Sequence, residues 1–333
     1  MRSKSHHKHT LLSKKQRLWI KRLLAATLLL ILYFQIKNHG GLDSWRQNFL
    51  TNIKAPLHRW WLFLAIILMP LNWILEITKW RLLMQHSWQA SWRRMAKAVM
   101  AGISISLITP NRIGEYGGRA ILIPQSQTAT VILTSMIGGI CQWLAFIICG
   151  VPALIYVLAQ KGLWNGTGIW LTAVIIPIVI LISLFAARPL FEFLVQLNIG
   201  KNQKWLRWLR LKIGQLRHIQ RRELLGACLL ALLRLFVYTA QYLLLLWFFD
   251  TPLSFWLGVS GIFSIFLIQA GIPLPPGLDV ITRSELAIWI WGSQLVNPIG
   301  ILSATFSLYL LNLMIPALLG SWLIVKKEHK SPV

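Results

Sequence analysis

Two stretches broken by proline and glycine lie inside otherwise lipid-like sequence, Pro110 to Arg119 (PNRIGEYGGR) and Pro273 to Glu285 (PLPPGLDVITRSE). Backbone that cannot form a continuous helix at membrane depth survives only where it is buried in protein or lines a polar cavity. In the first stretch Pro110 stops an incoming helix, Gly114, Gly117 and Gly118 permit close backbone approach, and Glu115 and Arg119 stand one turn apart if a helix restarts there. In the second, Asp279 and Arg283 repeat the same offset, and Glu285 follows. A helix N-terminus aimed into the membrane carries partial positive charge, so each restart can hold an anion beside its arginine, which suits a phosphate. The substrate-contacting residues expected on this basis are Asn111, Arg112, Gly114, Glu115 and Arg119 in the first stretch, and Gly277, Asp279, Arg283 and Glu285 in the second. Asp279 also reads as a helix N-cap, and Glu115 as no more than an intrahelical partner of Arg119.

Ionisable residues in the apolar runs themselves are costly, by about 2.5–3.5 kcal/mol at mid-helix, and normally face a bundle interior. Asn72, Glu76 and Lys79 fall at i, i+4 and i+7 on one apolar run, and Arg234, Tyr238 and Gln241 do so on another. Arg234, deep in its run, joins the expected substrate contacts, with Asn72, Glu76, Arg81, Tyr238 and Gln241 in support. A purely structural clamp between helices is the competing reading for Glu76 and Lys79. Cys141, Cys149 and Cys228 sit in apolar runs without metal or disulfide spacing and read as small buried hydrophobes. His6, His7 and His9 read as part of a solvated basic tail, so neither a metal nor a cofactor is expected.

Those stretches need a membrane scaffold, and the composition specifies one: 333 residues, 56% hydrophobic and only 13% charged. The 34 Lys and Arg against 9 acids give a formal +25, which raises nucleic acid as a partner. The basic residues stand at the ends of apolar runs, as the positive-inside rule requires, and leave no soluble basic domain to grip DNA. Spans are expected near Trp19 to Ile36, Trp60 to Lys79, Thr128 to Ala159, Gly168 to Ala187, Leu224 to Phe249 and Pro298 to Val325. The first reads as a signal anchor, and tryptophans such as Trp60, Trp80, Trp164 and Trp256 mark the interfaces.

The expected organisation is a basic cytoplasmic tail (1–18), one transmembrane domain (19–325) and a second cytoplasmic tail (326–333). The domain divides into a first half (60–187), a basic cytoplasmic linker (188–222) and a second half (223–325). With a cytoplasmic N-terminus, charge bias makes Met95 to Gln125 a hairpin opening to the cytoplasm and Pro252 to Asn297 one opening outward. The fold class is therefore all-α and polytopic, about six full crossings plus two re-entrant broken hairpins in an inverted repeat. Within the linker, Trp205 to Arg222 reads either as an amphipathic interfacial helix or as a solvated loop that sets topology.

Lys79-Trp-Arg-Leu-Leu, Leu107-Ile-Thr-Pro-Asn-Arg-Ile-Gly-Glu115 with Arg119, and Ile272-Pro-Leu-Pro-Pro-Gly277 leading to Glu285 resemble the lysylphosphatidylglycerol synthase transmembrane region, or flippase-like, family. The resemblance runs from about residue 18 to 325, and Pro-x-x-x-Gly-Glu at Pro110 to Glu115 is its most specific element. It implies a membrane domain that moves or presents lipids, sometimes fused to a cytosolic aminoacyl transferase or accompanying lipid-linked glycosyl transfer. Asp279 and the extra residues before Glu285 depart from the family's Pro-Gly-Gly-x-Gly run, and no soluble transferase domain is present in these residues. The expected function is an inner-membrane translocator or presenter of an anionic phospholipid or polyprenyl phosphate, with no enzyme activity of its own. The alternatives are an integral-membrane transferase on a lipid-linked donor, with Glu115 or Asp279 as base, and a membrane subunit that recruits a cytosolic or membrane enzyme.

Overall fold

A computed structural model describes residues 42–107, 109, 113–164, 171, 175, 178, 219–251, 253–272, 276–292 and 298–328. The expected span at Trp19 to Ile36, that at Gly168 to Ala187 apart from residues 171, 175 and 178, the linker up to 218, Pro110, Asn111 and Arg112 lie outside that set. All regular structure among the described residues is helical: α1 (Leu42–Asn52), α2 (Pro56–Met84), α3 (Trp92–Ser106), α4 (Gly114–Ile121) and α5 (Thr128–Gln160) precede the linker. After it come α6 (Arg221–Phe248), α7 (Phe255–Gly271), α8 (Pro276–Trp291), α9 (Pro298–Tyr309), a π-helical turn (Leu310–Met314) and α10 (Ile315–Glu328). Among the described residues, four helical segments are long and apolar enough to cross a membrane: α2, α5, α6 and the run Pro298–Ile324.

The solvent these helices evolved for is legible in α2. It exposes Phe63 (51%) and Ile67 (49%) while burying Asn72 (0%), Glu76 (4%) and Lys79 (2%), the reverse of a helix in water. Local signals set the ends. Pro56 opens α2 at a position where no backbone donor is needed. Gln220 and Glu223 form a reciprocal capping box at the start of α6. Gly162, at φ +67°, closes α5 in the left-handed conformation, with Leu163 N–H returning to Leu158 C=O at 3.0 Å.

Helices α2 and α6 pack antiparallel as the central pair. At one end Gln85 and His86 beyond α2 hydrogen-bond Glu223 of α6; at the other Trp61 meets Trp247, and His58 approaches Asp250 at 3.4 Å. Helix α1 caps this second end, where Asn52 donates to the Phe248 carbonyl at 2.8 Å and Trp45 donates to Ser307 at 3.0 Å.

The short helices fold back in pairs. Helix α3 follows α2 and packs on α4, and α5 begins at the same end, where Thr134 contacts Met84. Helix α7 follows α6, Trp291 at the end of α8 donates back to Leu257 near the start of α7, and α9 begins against Phe249, all at the opposite end. At 1.5 Å per residue, α3, α7 and α8 span only about 22–26 Å, short of a ~30 Å hydrocarbon core.

The first helix of each pair also packs on a helix from the other side of the linker. Helix α3 packs on α10, where Gly320 lets the Met100 carbonyl and Ser104 hydroxyl approach, and Ser104 donates to the Ala317 carbonyl at 2.7 Å. Helix α7 packs on α5, where a Cβ at Gly150 would lie 2.6 Å from Leu267 Cβ. Cys141 and Cys228 are free thiols in the α5–α6 contact, 3.3 Å apart.

Candidate functional site

Glu76 is the hub of a buried ionic cluster. Its carboxylate accepts from Arg119 Nη2 at 2.6 Å, Arg234 Nη1 at 2.6 Å and Lys79 Nζ at 2.7 Å, so α2, α4 and α6 each send a cation to one anion. Arg119 also pairs with Glu115 one turn back on α4, and Arg234 Nε donates to Asn72 Oδ1 at 2.8 Å. From Asn72 the chain of hydrogen bonds runs on through Asn312 and Gln241 to the Ala65 carbonyl, in steps of 2.6–2.8 Å. Asn312 belongs to the π-helical turn, whose extra residue per turn re-aims side chains and often marks function.

The close fit of α3 and α4 brings Arg119 to this point. A Cβ on Gly118 would stand 2.8 Å from the Ala101 carbonyl, and one on Gly102 would stand 2.8 Å from Arg119 Cγ. Trp80 lies under the Arg119 guanidinium, 5.1 Å from ring centroid to Cζ.

A second cluster joins α7 and α8. Gln269 Nε2 donates to Asp279 Oδ1 and to the Asp279 carbonyl, both at 2.8 Å, and its Oε1 accepts from Arg283 Nε at 2.8 Å. Arg283 Nη2 reaches Asp279 Oδ2 at 3.3 Å, its guanidinium lying over Phe266. Tyr238 packs edge-on to Phe266 and under Arg234, so an aromatic pair spans the gap between the two clusters.

Both clusters line one cavity of ≈ 240 Å³ in the middle of the bundle. Its charged wall comprises Lys79, Arg119, Arg234 and Arg283 against Glu76, Glu115 and Asp279 among the described residues, one cation in excess. Apolar and aromatic side chains, Trp143, Phe146, Phe266 and Leu308 among them, complete it. Buried ion pairs add little net stability once desolvation is counted, and ionisable groups inside an apolar bundle are costly, which makes this seven-membered ionic wall the candidate site.

The family model of the lysylphosphatidylglycerol synthase TM region matches residues 19–282. The chain belongs to this family. No curated protein matches it. In this lysylphosphatidylglycerol synthase TM-region protein the matched stretch takes in Glu76, Arg119, Arg234 and Asp279 and ends one residue before Arg283. Membership and the helices together make it a multi-pass membrane protein with a lipid-related role.

Of the residues singled out from sequence, Glu76, Glu115, Arg119, Arg234, Tyr238, Asp279 and Arg283 come together on the cavity wall. Asn72 and Gln241 stand behind it as hydrogen-bond support, Gly114 N–H donates to the Thr109 hydroxyl oxygen, and Gly277 lies in the first turn of α8. Glu285 is exposed on α8, off the cavity wall, and Arg81 lines a separate open groove with Gln85 and Trp88. Asn312, Gln269, Ser135, Tyr116 and Gln142 line the cavity without having been singled out. The signal for Asn312 and Gln269 was present: each is a lone amide in an apolar run.

Proposed function

We propose that the cavity receives the phosphate-bearing headgroup of an anionic membrane lipid or polyprenyl phosphate, and that the protein moves or presents that headgroup across the inner membrane while the hydrocarbon tails stay in the bilayer. The observation that carries this reading is the convergence of both charge clusters on one cavity with cations in excess. Lys79, Arg119, Arg234 and Arg283 receive the anion. Glu76, Glu115 and Asp279 hold those cations in place when the site is empty. A single carboxylate shared by three cations is easily outbid by a phosphate, which offers more acceptor oxygens and more charge.

The finer topology belongs to the same proposal: six crossings, two re-entrant hairpins of opposite orientation, and both termini cytoplasmic. Its support is the reciprocal packing, in which α3–α4 and α7–α8 are entered from opposite ends of the α2–α6 pair, with α3 packed on α10 and α7 on α5. Repeats so related place substrate at their shared interface, where alternating opening exposes it to either side.

Headgroup transfer of labelled anionic lipids in proteoliposomes tests the function. Glu115→Gln and Arg119→Ala are expected to slow transfer at least about tenfold, the effect of losing a charge-assisted contact. Transfer by both variants at the wild-type rate across a panel of anionic lipids defeats the assignment. Single cysteines at Asn111 and Leu278, in a chain lacking Cys141, Cys149 and Cys228, are expected to react with impermeant reagent from opposite sides. Reaction of both from one side removes the inverted repeat.

A further inference from the structure

Cys141 of α5 and Cys228 of α6 meet where helices from the two sides of the linker touch, the Cys228 thiol donating to Cys141 Sγ at 3.3 Å. The residues beside the sulfurs are small and buried, Ala145 on α5 and Ala227 and Ala231 on α6, so the helices approach closely. One residue past Cys141, Gln142 Nε2 reaches the Ala231 carbonyl at 3.3 Å. An S–S bond is about 2.05 Å long, which leaves the two side chains a gap of roughly 1 Å to close.

The surroundings are not those of an inert core thiol. Gly138, one turn before Cys141, is bare, and Lys79 Cε lies 3.5 Å from where its Cβ would stand. The Lys79 ammonium thus bears on both sulfurs, and it belongs to a cavity wall on which cations are in excess. Nearby cations favour the thiolate, the attacking form, and reactive cysteines are partly exposed in such electropositive places. The pair divides these requirements: Cys228 is half-buried and within reach of a reagent, and Cys141 sits behind it at 1% exposure. Cys149 supplies the contrast, a half-buried thiol about 12 Å further along α5.

We infer that Cys228 and Cys141 form a redox-active dithiol that a lipid-soluble organic hydroperoxide oxidises to a disulfide, tying α5 to α6. Both sulfurs stand in helices long and apolar enough to span a membrane, so the oxidant arrives through lipid, and a terminal peroxide oxygen is small enough to meet a half-buried sulfur. The Cys228 thiolate attacks that oxygen; the O–O bond breaks, the alcohol leaves, and Cys228 becomes a sulfenic acid. The Cys141 sulfur then attacks the Cys228 sulfur, and the hydroxyl departs as water with the Cys141 proton. Two thiols lose two electrons and two protons, and the peroxide is reduced to alcohol and water. Gln142 of α5 and Arg234 of α6 line the cavity, so the bridge fixes one of its walls against another. That this restrains headgroup transfer rests on the function proposed above; the bridge itself does not.

The full chain in phosphatidylcholine nanodiscs is treated with cumene hydroperoxide, its free thiols are trapped with N-ethylmaleimide, and its peptides are mapped without reduction. The expected product is a linked Cys141–Cys228 peptide lighter by two hydrogens than the reduced pair, with Cys149 alkylated and both thiols recovered by dithiothreitol. Lys79→Met is expected to slow bridging about tenfold as the thiolate population falls, and Lys79→Arg, which keeps the charge and so separates its loss from a loss of fold, to bridge near the wild-type rate. All three thiols staying alkylatable, Cys149 reacting as fast as Cys228, or Cys228 passing to sulfinic acid without a bridge overturns the dithiol. Wild-type bridging in Lys79→Met overturns its activation by that cation. In proteoliposomes the oxidised chain is expected to lose headgroup transfer and regain it with dithiothreitol, while Cys228→Ser keeps its rate through the same treatment. A bridge that forms without slowing transfer overturns the restraint alone; a reduced chain that transfers no anionic lipid overturns the headgroup reading, with the bridge still decided by mapping.

Discussion

Replacing Glu76 with Gln keeps the size of the side chain and removes the anion on which Lys79, Arg119 and Arg234 converge at 2.6–2.7 Å. The amide offers one acceptor oxygen and turns an N–H toward donors. Arg119 retains Glu115, and Arg234 Nε retains Asn72, so the loss is nearer to one broken buried pair than to three. Removing one partner of a buried pair costs about 3–5 kcal/mol, while replacing both partners by apolar groups of similar volume is often close to neutral. Thermal melts of the purified chain, followed by size-exclusion fluorescence, are therefore expected to fall on the order of 10 °C for Glu76→Gln. Most of the loss should return in Glu76→Gln with Lys79→Met. Anionic lipid should rescue the single variant more than the wild type, since a ligand at 100 times its Kd adds about 2.7 kcal/mol. A single variant that melts with the wild type, or a double variant that recovers nothing, refutes the placement of Glu76 at the centre of the cluster.

Three further outcomes test the packing and the polar chain. Gly320→Val drives a side chain into the Met100 carbonyl and is expected to destabilise by about 1–3 kcal/mol or more. Gly117→Ala, with nothing within 4 Å of the new methyl, should be neutral or gain up to about 1 kcal/mol in the same melts. Asn312→Leu strands the amides of Asn72 and Gln241 in the core and is expected to cost about 2–6 kcal/mol, at 1–3 kcal/mol for each unmet group.

What could be read from the sequence was what is energetically conspicuous. Charges inside apolar runs stand out, so Glu76 and Arg234 were found, and the i, i+4 offsets of Glu115–Arg119 and Asp279–Arg283 follow from helical geometry alone. The span limits for α5, α6 and the final run agree with the structure within about three residues because apolar length sets them. Long-range partnership had no such signal. Nothing in the chain indicates that Asn72 meets a side chain 240 positions away, and neutral Ser135 and Gln142 cost too little in lipid to attract notice. Glu285 is the converse case, a charge that the structure places away from the cavity wall. It was grouped with Arg283 by proximity in sequence, yet two residues along a helix is about 200° around it, and the carboxylate faces outward.

The reciprocal glycine contacts have a mechanical consequence. Gly320 fastens α3 to α10, and Gly150 fastens α7 to α5, each at backbone distance. Contacts at both glycines thus cross between residues on the two sides of the linker, one on each side of the antiparallel α2–α6 pair. Separating the two sides would have to break backbone-distance contacts at Gly320 and Gly150 together, so the chain is cross-braced at two points rather than one.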